Sequence, residues 1–230
     1  MNDVIAKAIN RVIHADCLNV LRYLPDKSVD LCLTDFPYGV NIDYDGYHDS
    51  QANLISLINA VMPEILRVSK RALITTGQTN LWHYPVPEWL LGWIVPAGTG
   101  RNPWGFTTWH PILAYGKDPY LANGLGSRHD TIKKIETSAD VDHPCPKPTQ
   151  FWTSLLLRGS INEDDIILDP FAGSGTTGVA CIRTKRRYIL IEQSDKYCSI
   201  AKEQIEMEKR KFADECYVSD LSLFNKGKRK

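Results

Sequence analysis

The chain has 230 residues, of which 43% are hydrophobic and 23% charged, with a formal net charge of zero. That length suits one sizeable α/β core and excludes two ordinary enzyme domains. The neutral total offers no bulk argument for a nucleic-acid partner.

Charge is unevenly spread: residues 1–95 carry 7 basic and 10 acidic side chains, and residues 183–230 carry 13 and 8. The C-terminal end therefore leans toward phosphates, although Glu203 to Lys211 and Lys226 to Lys230 equally read as solvated faces. The cysteines Cys17, Cys32, Cys145, Cys181, Cys198 and Cys216 form no CxxC pair and match no zinc spacing with histidine. Cys32 and Cys181 sit in apolar runs and read as core residues. A reduced, cytoplasmic protein without a metal is expected. The polar start and the lack of an 18-residue apolar run argue against a signal peptide and a membrane role.

In chain order, Val12 to Ala15 reads as a short strand and Cys17 to Leu24 as a short helix. Val29 to Thr34 is an apolar run of strand length, stopped by Phe36-Pro37. A polar loop follows, with Gly39, Gly46, Asp43, Asp45 and Asp49; it is too acidic to grip phosphate. From Leu54 to Val68 the apolar residues recur at helical spacing, and Pro63 predicts a kink or break. Ala72 to Thr76 returns as a strand ending at Gly77.

The stretch from Gln78 to Pro148 is irregular and aromatic. Trp89 to Val95 and Thr108 to Tyr115 are expected to pair antiparallel around the loop Pro96 to Phe106. Trp82, Trp89, Trp93 and Trp109 read as core residues. Regular periodicity resumes afterwards: helix Gln150 to Leu157, strand Ile166 to Leu168, helix Gly175 to Thr184, strand Arg187 to Ile191. A long helix, Ser194 to Lys211, follows with Ser194 as its cap. Such alternation means a mostly parallel sheet covered on both faces, with ligands at the strand carboxyl ends, after Thr34, Leu168 and Ile191.

The strongest local signal is Asp169-Pro170-Phe171-Ala172-Gly173-Ser174-Gly175-Thr176-Thr177-Gly178, which links a strand to a helix. Glycines let the backbone turn sharply against a ligand, and the helix start offers free N–H groups. Glu192 ends the next strand, 19 residues after Gly173, where a carboxylate can accept ribose hydroxyls. Alone, this GxGxxG spacing equally fits a nicotinamide- or flavin-binding loop.

The Asp-Pro-Phe stretch before the glycines resembles the FxGxG motif of amino-methyltransferases acting on DNA. Asp35-Phe36-Pro37-Tyr38 resembles the (D/N/S)-PP-(Y/F) catalytic motif of the same enzymes. His14-Ala15-Asp16-Cys17-Leu18 is similar to their acidic, cofactor-contacting motif. His143-Pro144-Cys145-Pro146-Lys147-Pro148 is similar to the segment leading to the helix before the glycine turn. The catalytic motif precedes the cofactor motif, the order of the β group.

The resemblance implies a Rossmann-like S-adenosylmethionine-dependent methyltransferase fold: a mostly parallel seven-stranded sheet with an antiparallel hairpin edge, in one domain spanning residues 1–230. It also implies methyl transfer to the exocyclic amine of a flipped base in double-stranded DNA, at adenine N6 because Asp opens the motif. Cytosine N4 is the alternative. Expected cofactor contacts are Asp16, Lys147, Asp169, Phe171, Gly173, Ser174, Gly175, Thr176 and Glu192; the reaction falls to Asp35, the carbonyl of Phe36, Pro37 and Tyr38. Phe36 replaces the usual first proline of the PP pair, which makes a weak or inactive cofactor-binding homologue the other alternative.

Target recognition in this group lies between the two halves, here a short insert at residues 98–141. Arg101, Asn102, Arg128 and Lys133 are its candidate DNA contacts. So short an insert leaves homodimerisation open.

Overall fold

The structure, a computed structural model, describes residues 3–96, 98–133 and 147–226, the side chains of residues 44 and 214–226 excepted. His143 to Pro146, Lys134 and the end of the proposed insert lie outside the described residues.

The first half runs α1 (Asp3–Ala8), β1 (Arg11–His14), α2 (Cys17–Leu21), β2 (Leu31–Asp35), β3 (Asp43–Tyr44), β4 (Tyr47–His48), α3 (Gln51–Val68) and β5 (Ala72–Thr75). The middle holds β6 (Trp89–Ile94), β7 (Arg101–Asn102), β8 (Gly105–Phe106), β9 (Trp109–Tyr115), α4 (Pro119–Ala122) and β10 (Thr131–Lys133). The chain continues through α5 (Thr149–Gly159), β11 (Ile166–Asp169), α6 (Thr176–Arg183), β12 (Arg187–Glu192) and α7 (Asp195–Lys226).

The main sheet has the order β1-β12-β11-β2-β5-β9-β6-β10, and only β9 runs against its neighbours. The expected antiparallel β6–β9 pair is present. The expected seven strands are corrected to eight among the described residues. β10 adds parallel to β6, so the hairpin sits one strand in from the edge. Three residues, Thr-Ile-Lys, are too few to show a period, which is why β10 was not legible.

Alternation along β2 sends Leu31 and Leu33 to one face and Cys32 to the other. The Cys32 face packs with Ile74 and Leu168 against Leu21 of α2 and Leu54, Ile58, Met62 and Ile65 of α3. The opposite face packs against Phe151, Trp152 and Leu155 of α5, Ala180 of α6 and Ile205 of α7. Each fully buried side chain of this kind contributes about 1.5–3 kcal/mol, so the sheet's position between the helical layers is strongly determined.

Two further expectations are corrected. The break expected at Pro63 does not occur: α3 is one continuous helix, because Pro63 and Asn59, whose carbonyl loses its intrahelical partner, both face solvent. Of the four tryptophans expected in the core only Trp93 is buried, stacked on Phe151 with centroids 4.1 Å apart. Trp89 and Trp109 open their strands and Trp82 lies in a 3-10 turn, Leu81–His83, outside the sheet; all three are exposed. Among the described residues no helix is long and apolar enough to cross a membrane.

Candidate active site

β11 delivers Asp169 into the interior, and the chain then turns through Gly173 and Gly175, at φ 50° and 89°, into α6. Asp169 is 3% exposed. Its two oxygens accept from Thr34 Oγ1 at 2.6 Å, Thr177 Oγ1 at 2.5 Å and the Phe171 N–H at 3.1 Å. Burial pushes its pKa up to about 6, with these hydrogen bonds holding it back. The carboxylate thus ties β2 to the glycine turn. Glu192, ending β12, accepts from the N–H of Gly173 and of Ser194, both at 2.8 Å. β1 lies beside β12, with His14 opposite Glu192, which places Asp16 next to that carboxylate, capping α2 through the Leu18 N–H at 2.8 Å. Gly175 has a packing role: a Cβ there would lie 2.9 Å from the Ala201 backbone of α7.

β2 ends at Asp35, held from three sides. Oδ1 accepts from Thr75 Oγ1 at 2.5 Å and from the Tyr38 hydroxyl at 3.0 Å. Oδ2 pairs with Lys147 Nζ at 2.8 Å, and the same ammonium donates to the Tyr38 hydroxyl at 2.9 Å. Burial acts to lower the pKa of Lys147, but Asp35 and Tyr38 outweigh it and leave the ammonium above its ordinary range. Burial foremost, with the charge of Asp35, raises Tyr38. Phe36 is 1% exposed and meets Tyr84 and Phe171 edge-on, at centroid distances of 5.5 and 4.7 Å. Position 36 therefore joins the Asp35 loop directly to the glycine turn.

Two residues unremarked as site residues in the sequence reading shape this loop. Asp49, fully buried, accepts from three successive backbone N–H groups, of Tyr38 (3.2 Å), Gly39 (2.8 Å) and Val40 (3.2 Å). Asn80, also buried, donates to the Tyr38 carbonyl at 2.7 Å and accepts from Gln51 Nε2 at 2.9 Å. Asp49 was legible only as one acid in an acidic loop. No local pattern marks Asn80.

One cavity at the strand carboxyl ends is lined by Asp35, Phe36 and Pro37 together with Asp16, Lys147, Asp169, Phe171, Gly173, Ser174, Thr176 and Glu192. Trp152, Leu57 and Tyr197 add apolar wall. Of the expected cofactor residues only Gly175 is not on its lining, and Tyr38 stands behind Asp35. The candidate DNA residues are not brought together. Arg101 and Asn102 lie on the exposed hairpin between β6 and β9, and Lys133 ends the edge strand β10. Arg128 sits over the Tyr120 ring, 4.5 Å from its centroid, in a second cavity with Arg71, Gly116 and Arg158 at the opposite end of the sheet.

A family model described as DNA methylase matches residues 79–203. DNA adenine methyltransferase YhdJ of Escherichia coli (strain K12) is 25% identical over 261 residues, covering 89% of this chain and 85% of that one. Two solved structures share the fold. The M1.HpyAVI–SAM complex has a TM-score of 0.61 at 22% identity, covering 84% of this chain and 98% of that one. The cytosine-N4-specific PvuII DNA methyltransferase has a TM-score of 0.62 at 14% identity, covering 87% and 91%. With more than half its length matched by that model, the chain belongs to the DNA methylase family whose members modify adenine N6 or cytosine N4.

Proposed function

We propose that this chain transfers a methyl group from S-adenosylmethionine to the N6 amine of an adenine swung out of duplex DNA. The observation that carries this reading is the shared cavity: the glycine turn and the Asp35 carboxylate line one space, and a nitrogen donor, Lys147 Nζ, already sits 2.8 Å from Asp35 Oδ2. A base amine, although uncharged, likewise offers N–H donors to that carboxylate.

S-adenosylmethionine supplies a methyl group activated by a sulfonium. Glu192 is the carboxylate placed to accept its ribose hydroxyls and Asp16 stands beside it toward the adenine, with Phe171, Gly173, Ser174 and Thr176 on the lining of the same cavity. The target amine is a weak nucleophile because its lone pair is delocalised into the ring. Asp35 accepts one N–H and the Phe36 carbonyl the other, turning the lone pair toward the methyl group. The hydroxyls of Thr75 and Tyr38 hold the carboxylate in place before the base arrives. Asp35 is also the nearest acceptor for the proton that the methylated nitrogen sheds. Phe36 lacks a proline ring, but its packing between Tyr84 and Phe171 restrains the same segment, which favours an active enzyme. The amine is inaccessible inside a duplex, hence the flipped base.

Labelled S-adenosylmethionine, unmethylated genomic DNA and the purified chain, followed by nucleoside analysis, test the reading. Label in N6-methyl-2′-deoxyadenosine is expected, with Asp35→Ala about 10²–10³-fold slower. Label in N4-methylcytosine refutes the choice of base, and label absent from DNA refutes the reaction.

A further inference from the structure

Trp104 is 99% exposed at the tip of the β7–β8 hairpin. The tip is stiff. Pro103 restricts φ, Asn102 Oδ1 accepts from the Trp104 N–H at 2.8 Å, and Asn102 Nδ2 donates to Thr107 Oγ1 at 3.1 Å. Below it, the Thr99 N–H donates to the Thr107 carbonyl and the Thr107 N–H to the Gly100 carbonyl, both at 2.9 Å. The side chain of Asn102 is thus spent on the turn, and what the turn presents to solvent is an indole.

The hairpin stands on the same side of the sheet as Asp35. Asp35 is level with Thr75, which pairs with Ile112, itself opposite Leu91. The sheet is left at Ile94 and rejoined at Trp109, three residues higher, about 10 Å above Asp35 at ~3.3 Å per residue. β6 is three strands from β2, about 14 Å sideways. His110 ties the base of the hairpin to β9, its Nε2 lying 2.8 Å from Thr99 Oγ1. From Trp89 to Lys117 there is no aspartate or glutamate, while Arg101 stands over Phe106 at 5.7 Å. Such a segment approaches a polyanion without repulsion.

We propose that Trp104 enters the base stack of duplex DNA and fills the place left by the base that Asp35 receives. This rests on the reading of the Asp35 cavity above. A flipped nucleotide leaves a flat, apolar gap bounded by two base faces, which an indole matches in shape and chemistry. The hairpin rises from the end of the sheet that carries the cavity, so wedge and receptor face one stretch of duplex.

The test uses the full chain, a duplex carrying the site mapped by sequencing methylated DNA, and the same duplex with a mismatch opposite the target. Trp104→Ala should lower kcat/KM on the paired duplex roughly 10- to 100-fold, as loss of one stacking contact implies. Trp104→Phe should keep most of the rate. On the mismatched duplex the Trp104→Ala deficit should shrink severalfold, since less pairing is broken. Unfolding midpoints should match wild type, because the side chain touches only solvent. A Trp104→Ala variant within twofold of wild type on paired DNA, or one equally impaired on both duplexes, overturns the wedge and leaves the Asp35 reading intact. Wild-type protein that methylates neither duplex overturns the Asp35 reading instead.

Discussion

Asp49→Asn is the sharpest test of how the Asp35 loop is held. In the native chain three consecutive N–H groups converge on one fully buried carboxylate, Gly39 on Oδ1 and Tyr38 and Val40 on Oδ2. Asparagine is nearly isosteric but carries one acceptor oxygen. In its better orientation that oxygen keeps Tyr38 and Val40 and turns an NH2 toward the Gly39 N–H, placing donor against donor. A buried donor left unsatisfied costs about 1–3 kcal/mol, and the two retained bonds lose their charge assistance. The sum is about 3 kcal/mol, a large fraction of the ~5–15 kcal/mol that holds a typical protein folded. For a chain of this size that lowers Tm by about 6–12 °C. Because Tyr38 bonds to Asp35, the same change should slow methylation at least about tenfold while leaving cofactor binding near wild type. Calorimetry, urea unfolding and a steady-state assay read the three quantities. An Asp49→Asn variant within 0.5 kcal/mol of wild type, with unchanged kcat, would refute the claim that this carboxylate organises the loop.

Three other outcomes follow from the same site. Gly39→Ala should destabilise by about 1–3 kcal/mol, since φ is +69° and the new Cβ would meet Asn80 Nδ2 at 2.7 Å; urea unfolding reads it, and a neutral effect would mean the loop relaxes freely. Asp169, with a pKa near 6 when folded against an ordinary 3.8, contributes stability that is complete below about pH 3.8 and is lost as pH rises through 6, a swing of ~3 kcal/mol. Denaturant titrations from pH 4 to 7 should show that slope in wild type and lose it in Asp169→Asn; an identical slope in both contradicts the assignment. Lys147→Met leaves one oxygen of a partly buried carboxylate without its cation and should cost about 1–3 kcal/mol, with methylation reduced but S-adenosylmethionine still bound. Loss of cofactor binding instead would place Lys147 on the cofactor, as the sequence motif implies.

The site was legible unevenly. Asp35, Phe36 and Pro37, and the turn from Asp169 to Thr176 apart from Gly175, stand in contiguous motifs and do line one cavity. Gly175 fitted the glycine pattern, yet its missing Cβ accommodates α7, whose distance in sequence no short pattern reports. Asp49 and Asn80 lie 14 and 45 residues after Asp35, in stretches without periodicity. Trp104 fell within the expected insert at residues 98–141 and outside the tryptophans expected in the core, but only the structure shows how fully it is exposed.

Local sequence determined the alternation of strands and helices, because apolar period and turn residues act within a few positions of one another. It also determined the two chemical signatures, a carboxylate at one strand tip and a glycine turn at another. Tertiary structure alone decided that these tips share a cavity, that Lys147 closes on Asp35 and that an eighth strand joins the edge. Those outcomes depend on strand order and on contacts between residues from about forty to more than a hundred positions apart, and helix and strand periodicities carry no record of either.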